Sequence, residues 1–311
     1  MGKYLAVTYD RERVYTALVR NGAVAGAATG LIMSAKNSGE AISTAVRETA
    51  AKHGLKTPES AMTLPDRDCL TKRLDGTQLT EADLLMNLPY EFGDYIRTGM
   101  EADYKFDYQV VYADKHERRI LAVAVLRSAI SEAVEIATDA ATELSRLVPE
   151  TCALGDLIET HTRGLKCAVI TVGGEETMIR LYAGAECYAS HEINFGVSMI
   201  REELQNRNLS FFEGAAPLRN EVLEGTVARE ESESLAMNVL SALDYFREEG
   251  LFFPEMPIYF AGEGALVPRI LRQIAEGTGA KCETVAKLIK GTIDENLAVM
   301  LAPAIGAAIE R

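Results

Sequence analysis

The sequence predicts an α/β protein of two similar halves that face each other across a cleft, with a smaller α+β block set between them. Three observations carry this reading. The first 55 residues run strand, strand, strand, helix; the same order returns from Lys166, about 160 residues later; and the stretch between has its own compact helix–strand–strand–helix pattern. A βββα unit buries one face of its sheet under helices, so two copies imply two packed layers meeting along one chain.

In the first unit, LAVTYD (Leu5–Asp10), VYTALVR (Val14–Arg20) and AVAGAATG (Ala23–Gly30) are short strand-like runs split by DRER and by Asn21-Gly22. Asn-Gly marks a hairpin because both residues tolerate positive φ. The following helix takes Ser38 as N-cap, sets Ile42, Val46 and Ala50 on one face and stops at Gly54. In the middle block, TEADLLMNLPYEFGDYI (Thr80–Ile96) reads as a helix in which Pro89 marks the entry or a kink. FDYQVVYAD and RILAVAVL read as strands. Ile130, Val134, Ala137, Ala141, Leu144 and Val148, spaced 4, 3, 4, 3, 4, then read as one single-sided helix. The block is either an inserted subdomain or a continuation of the first sheet. The second unit has strands at Lys166–Val172, Thr177–Ala183 and Glu186–Ile193, with Val197, Ile200 and Leu204 opening its helix.

Bulk properties narrow the function. A chain of 311 residues can hold two domains, and a formal charge of −14 disfavours a nucleic-acid surface. Five cysteines (Cys69, Cys152, Cys167, Cys187 and Cys282) form no CxxC pair and read as reduced thiols of a cytoplasmic protein. Apolar runs break before the roughly 18–20 residues of a membrane span, and charge near the N-terminus comes too early for a signal peptide. His53, His116, His161 and His191 are scattered, no nucleophile–base arrangement stands out and no P-loop occurs, so no metal and no catalytic residue is expected.

Seven segments, in order over nearly the whole chain, resemble the PilM family of type IV pilus assembly proteins and, more distantly, FtsA. They are MTLPDRDCLTKRLD, TEADLLMNLPYEFGDYI, DYQVVY, ILAVAVLRSAISEAVEIATDA, PETCALGDLI, ALDYFREEG and IYFAGEGALVPRI. The resemblance implies a duplicated actin-like (ribonuclease H-like) fold. Residues 1–69 and 149–165 would form the first half, 70–148 the small inserted subdomain and 166–311 the second half.

The resemblance also implies a nucleotide site, and this sequence departs from it. The first phosphate loop, D-x-G-S-S in the family, is here Thr8-Tyr9-Asp10-Arg11-Glu12; the second, D-x-G-x-x-T, is Thr171-Val172-Gly173-Gly174-Glu175-Glu176-Thr177. Both metal-side Asp residues are replaced by Thr, and carboxylates lie where phosphate oxygens should sit. Like charges about 4 Å apart repel by ~1 kcal/mol in water and by more in a partly dry cleft. The helix bordering adenine reads Asn238-Val239-Leu240-Ser241-Ala242-Leu243, without the family's Glu and Arg. Loss of both anionic anchors removes most of what phosphoryl transfer requires, so no ATP hydrolysis and no cofactor are expected. Backbone amides at Gly173, Gly174, Gly262 and Gly264, with Thr177, leave residual binding of ATP and Mg as an alternative.

The function implied by the resemblance is a cytoplasmic actin-like scaffold of a type IV pilus-like assembly machinery. It would grip the cytoplasmic tail of a PilN-like membrane partner and make no membrane insertion of its own, since PAIGAAIER is too short for an amphipathic anchor. The implied groove is bordered by Tyr90, Phe92 and Tyr95 from one helix and Tyr104, Tyr108 and Tyr112 from the neighbouring strand, aromatics that combine contact area with polar tips. Two rivals stay open: an ATPase with relocated metal ligands such as Asp10 and Glu175, and a filament- or dimer-forming structural protein.

Overall fold

A computed structural model describes residues 3–9, 13–31, 38–75, 79–114, 117–210, 212–213, 216–218, 222–223 and 229–309. Asp10, Arg11, Glu12 and His116 lie outside the described residues.

Strands β1 (Lys3–Tyr9), β2 (Arg13–Arg20) and β3 (Ala23–Leu31) form an antiparallel meander. Asn21 and Gly22 take φ of 54° and 75° at its hairpin, the backbone that this residue pair favours. Helix α1 (Ser38–Lys52) leads to β4 (Glu59–Leu64), which lies parallel to β1. The small block contributes β5 (Cys69–Asp75), α2 (Glu81–Glu91), β6 (Tyr104–Ala113) and β7 (Arg118–Leu126), with the strands ordered β5-β7-β6. Thr80 caps α2, its hydroxyl oxygen accepting the Asp83 N–H at 3.2 Å. Pro89 falls in the last turn of α2, after the helix has been entered, and marks no start.

The predicted single-sided helix is two elements, α3 (Arg127–Asp139) and β8 (Glu143–Pro149). Ala141 at φ 56° ends the helical path; Ala137 is buried as expected, but Val134, of the same predicted stripe, is exposed, and Ala129, Ala133 and Ile136 complete the buried face. β8 hydrogen-bonds in parallel to β4, so α3 and β8 pack with the first half although residues 70–148 were assigned to the insert. The 4-3-4 spacing of apolar residues ran on across a helix–strand boundary by coincidence, because ELSRLVP also alternates.

The second half repeats the plan with β9 (Lys166–Val172), β10 (Thr177–Ala183) and β11 (Glu186–Ile193), then α5 (Ser198–Asn206). A two-residue ladder (β12, Phe212–Glu213; β13, Ala216–Pro217) and α6 (Arg229–Glu248) precede β14 (Ile258–Ala261), α7 (Pro268–Thr278) and β15 (Cys282–Thr284). Its sheet runs β11-β10-β9-β14-β15, and the first runs β3-β2-β1-β4-β8, with the same sequence of antiparallel and parallel pairings. That match shows the duplication.

The halves are cross-linked by their helices. β16 (Lys290–Gly291) leaves the second half to pair with β3, and α8 (Glu295–Ala307) packs on β1 and β2. It crosses α4 (Glu150–Thr162) so closely that a Cβ on Gly306 would lie 2.0 Å from the Ala153 carbonyl oxygen. Side chains from both sheets, α4 and α8 form one continuous core.

Candidate functional site

A cavity of about 390 Å³ lies between the halves, at the ends of β1 and β9. Thr8 and Thr171 line it from those strands, as expected for the two places where the resemblance would put metal-side Asp residues.

At its floor is a residue that the sequence reading did not single out. Arg180 on β10 is 1 % exposed. Its Nε donates to Asp66 Oδ2 at 3.1 Å and to Thr151 Oγ1 at 3.0 Å, its Nη1 donates to Thr171 Oγ1 at 3.0 Å, and its Nη2 donates to Asp66 and lies 3.3 Å from Glu150 Oε1. Asp66 comes from the turn after β4, and Glu150 and Thr151 from the first turn of α4, so this guanidinium ties the second sheet to two elements of the first half. Burial pulls the guanidinium pKa down, but Asp66 and Glu150 outweigh it and the net direction is up. Glu150 is pushed up by burial, against the pull of Arg180. The Tyr182 hydroxyl, on the same face of β10, donates to the Thr151 carbonyl at 2.9 Å. A charged residue inside the apolar strand TMIRLYA was the available signal, since a buried Arg requires carboxylate partners.

A second ion pair closes the other wall. Arg201 on α5 donates through Nη2 to both carboxylate oxygens of Glu263, which is almost wholly buried in the turn after β14. Among the described residues, the cavity lining carries five carboxylates (Asp66, Glu150, Glu175, Glu176, Glu263) against three guanidiniums (Arg67, Arg180, Arg201).

The loops expected to cradle phosphate make several main-chain bonds within the protein. The Gly173 N–H donates to Glu176 O at 2.9 Å, and the Gly173 and Gly174 carbonyls accept the N–H groups of Val197 and Ser198 at 3.0 and 2.8 Å. Thr177 is buried behind the loop, its hydroxyl donating to Phe195 O at 2.7 Å. Pro303 in α8 has no N–H for the carbonyl of Val299, which instead accepts the Gly262 N–H at 3.0 Å. Gly262, at φ 74°, and Gly264 let this turn press on β9: a Cβ on Gly264 would lie 2.3 Å from the Val172 side chain. Gly173, Gly174 and Gly262 therefore line the cavity, whereas Thr177 and Gly264 serve packing. Glu175 and Glu176 stand exposed at its rim.

The aromatic set is divided. Phe92 is 0 % exposed, packed among Leu84, Leu88, Ile96 and the α2-facing residues of β7, with its ring 5.9 Å from that of Phe106. It is a core residue: α2 ends at Glu91, short of the predicted Ile96, and Phe92 at its C-cap turns inward while Tyr90 (82 % exposed) on the helix and Tyr95 (65 % exposed) in the following turn face solvent. Tyr104 also packs on this core, and Tyr112 lies under the Arg119 guanidinium, 4.3 Å from its ring centroid.

Of these residues Tyr108 alone lines a second cavity, a groove of about 390 Å³ between the insert and the first half. Its walls are β6 and β8, each the outer strand of its sheet. Leu64, Val123, Val125, Ile130, Leu147, Val148, Pro149 and Cys152 make it apolar, and Lys105 and Asp107 stand at the rim. Gln109 Nε2 donates to Asp156 Oδ1 at 2.6 Å, and Arg146 lies 4.0 Å from the other oxygen of Asp156 while donating to Ile309 O at 2.7 Å. Elsewhere, the buried Glu186 at the start of β11 pairs with Arg73 and Arg119, tying the insert to the second half. Among the described residues no cluster of side chains could hold a metal ion, and no helix is long and apolar enough to cross a membrane.

The twin sheets, crossed helices and interposed cleft define an actin-like α/β protein. No family model and no curated protein matches the chain. Among solved structures it is similar to one titled PilM-PilN type IV pilus biogenesis complex, with 14 % identity, 98 % of this chain and 97 % of that one covered, and a TM-score of 0.77. It is also similar to the ethanolamine utilization protein EutJ from Carboxydothermus hydrogenoformans, at 13 % identity, coverage of 98 % and 90 % and a TM-score of 0.57. A third is MreB5 of Spiroplasma citri bound to ADP, at 11 % identity, coverage of 97 % and 95 % and a TM-score of 0.51. The fold is thus actin-like in its PilM-like form, as the seven segments implied.

Proposed function

We propose that this chain is a scaffold of a type IV pilus-like assembly, at the inner face of the cell membrane, that holds the cytoplasmic tail of a PilN-like membrane protein without hydrolysing ATP. The observation that carries the proposal is the groove between β6 and β8. Two outer strands with an apolar floor between them suit an extended segment that alternates apolar side chains with main-chain hydrogen bonding. The similarity to a PilM-PilN complex supports a tail as the occupant. The cleft supports the absence of hydrolysis, because Arg180 and Arg201 are paired with carboxylates within the protein and the N–H groups of Gly173 and Gly262 are bonded to main-chain carbonyls.

Calorimetry tests both parts. A peptide from the cytoplasmic N-terminus of a membrane protein encoded beside this chain is expected to bind in the micromolar range, and Ile130→Asp, at the groove wall, to weaken it about tenfold or more. Mg-ATP is expected to give no binding heat and to leave the peptide affinity unchanged. Magnesium-dependent nucleotide binding abolished by Glu175→Ala overturns the non-hydrolysing reading, and an unaffected Ile130→Asp overturns the groove.

A second reading, self-association, is favoured by the outer face of α2 and the turn after it, where Leu85, Met86 and Tyr90 on the helix and Tyr95 in the turn are exposed. Sedimentation velocity checks it: Tyr90→Glu is expected to abolish any concentration-dependent assembly.

A further inference from the structure

The cleft and the groove share one structural part, the first turn of α4. Pro149, Cys152 and Asp156 line the groove, spaced as a single helix stripe at i, i+3 and i+7. Glu150 and Thr151, on the other side of that turn, are held from the cleft. Arg180 Nε donates to the Thr151 hydroxyl, that hydroxyl donates to Asp66 at 3.0 Å, and Tyr182 bonds the Thr151 carbonyl. The helix start has no cap from its own N-cap residue, Pro149; Asp66 takes that role from another element, facing the Thr151 N–H at 3.4 Å. A carboxylate there also suits the positive end of the helix dipole.

We propose that Arg180 is the positioning residue of the groove: its guanidinium, an internal cation in the cleft, fixes the first turn of α4 so that the Pro149–Cys152–Asp156 stripe is held ready for an extended apolar segment without any ligand in the cleft. The partner part of this rests on the groove reading above; the positioning part does not. Without the guanidinium, Asp66 and Glu150 repel each other across the turn they now share, and Thr151 loses the donor that orients its hydroxyl.

The thiol of Cys152 is a built-in reporter, nearly buried on the groove side of this turn, with Cys282 on β15 as a distant control. In Arg180→Ala, and more mildly in Thr151→Val, alkylation of Cys152 in the folded protein is expected to accelerate about tenfold, from local opening of the turn, with Cys282 unchanged. Millimolar guanidinium, well below denaturing levels, is expected to slow Cys152 alkylation in Arg180→Ala back towards the wild-type rate, a rescue that a merely structural role does not give. Peptide affinity should fall and recover in parallel. The inference is overturned if Cys152 in the folded variants reacts at the wild-type rate, or if both thiols accelerate alike and guanidinium restores neither. If Arg180→Ala does not fold, Thr151→Val decides on the same readout. Failure of the wild-type protein to bind peptide rejects the groove reading alone, since the alkylation comparison still decides the role of Arg180.

Discussion

Arg180→Ala is expected to lower the unfolding free energy by about 3–5 kcal/mol, the range found when one member of a buried ion pair is removed. Against a total of roughly 5–15 kcal/mol for a native domain, that is a large share. The cost arises because Asp66 and Glu150 stay behind, beside Thr151 and Thr171, with no cation to face. Urea denaturation followed by circular dichroism measures it, and a double-mutant cycle with Asp66→Asn should recover about half the loss, because the orphaned charge disappears with its partner. The variant should also gain a pH dependence. Burial already raises the Glu150 pKa above its ordinary value, and Arg180 is the group that opposes this. A carboxyl whose folded pKa lies above its unfolded one contributes stability below the unfolded pKa and loses it as pH rises through the folded value. The gap between wild type and Arg180→Ala is therefore expected to be wide at pH 8 and to narrow towards pH 5. A variant as stable as wild type at pH 8 contradicts the assignment of Arg180 as the cation joining the halves.

Local features of this chain were legible in its sequence where the physics is local. The bounds of β9, β10 and β11 follow from short strand-like runs separated by Gly173-Gly174 and by Gly184, and those strands form as read. The Asn21-Gly22 hairpin has the same character: two residues settle their own backbone. The helix–strand junction at Ala140–Thr142 was not legible, because apolar spacing alone does not distinguish a helix stripe from a helix followed by an alternating strand. The direction that Phe92 takes at the end of α2 depended on which sheet the helix would meet, which Phe92 itself does not encode. Arg180 and Asp66 are 114 positions apart, so their pairing exists only once the two halves have met. What could be read was the mismatch of an Arg inside an apolar strand and of Thr in place of Asp at two loop positions. Two of these features meet in the structure: the Thr171 hydroxyl accepts from Arg180, an internal cation.

The close crossing of α4 and α8 yields the other large effect. Gly306→Val is expected to destabilise the protein by more than about 3 kcal/mol, at the upper end of what overpacking costs. A Cβ at Gly306 would sit 2.0 Å from Ala153 O and 2.7 Å from its carbonyl carbon, and main-chain atoms cannot rotate away as a side chain can. Relief requires α4 or α8 to move as a body. α4 is fixed at its first turn by Arg180, Tyr182 and Asp66, and the Val299 carbonyl of α8 is fixed to Gly262. Gly277→Ala on α7 is the matched control. There the new Cβ would lie 2.6 Å from Leu240 Cδ2, the end of a flexible side chain, and the gain in helix propensity offsets its adjustment, so the change should stay within about 1 kcal/mol. Chemical denaturation of the pair separates a backbone crossing from an ordinary packed helix. Because the same α4 carries Cys152 and Asp156 and starts from Pro149, any folded Gly306→Val should also lose peptide affinity in proportion to the shift of that helix, whereas Gly277→Ala should retain it. Equal stability of the two variants would show that α4 and α8 have room to separate, and that the groove wall is softer than the crossing implies.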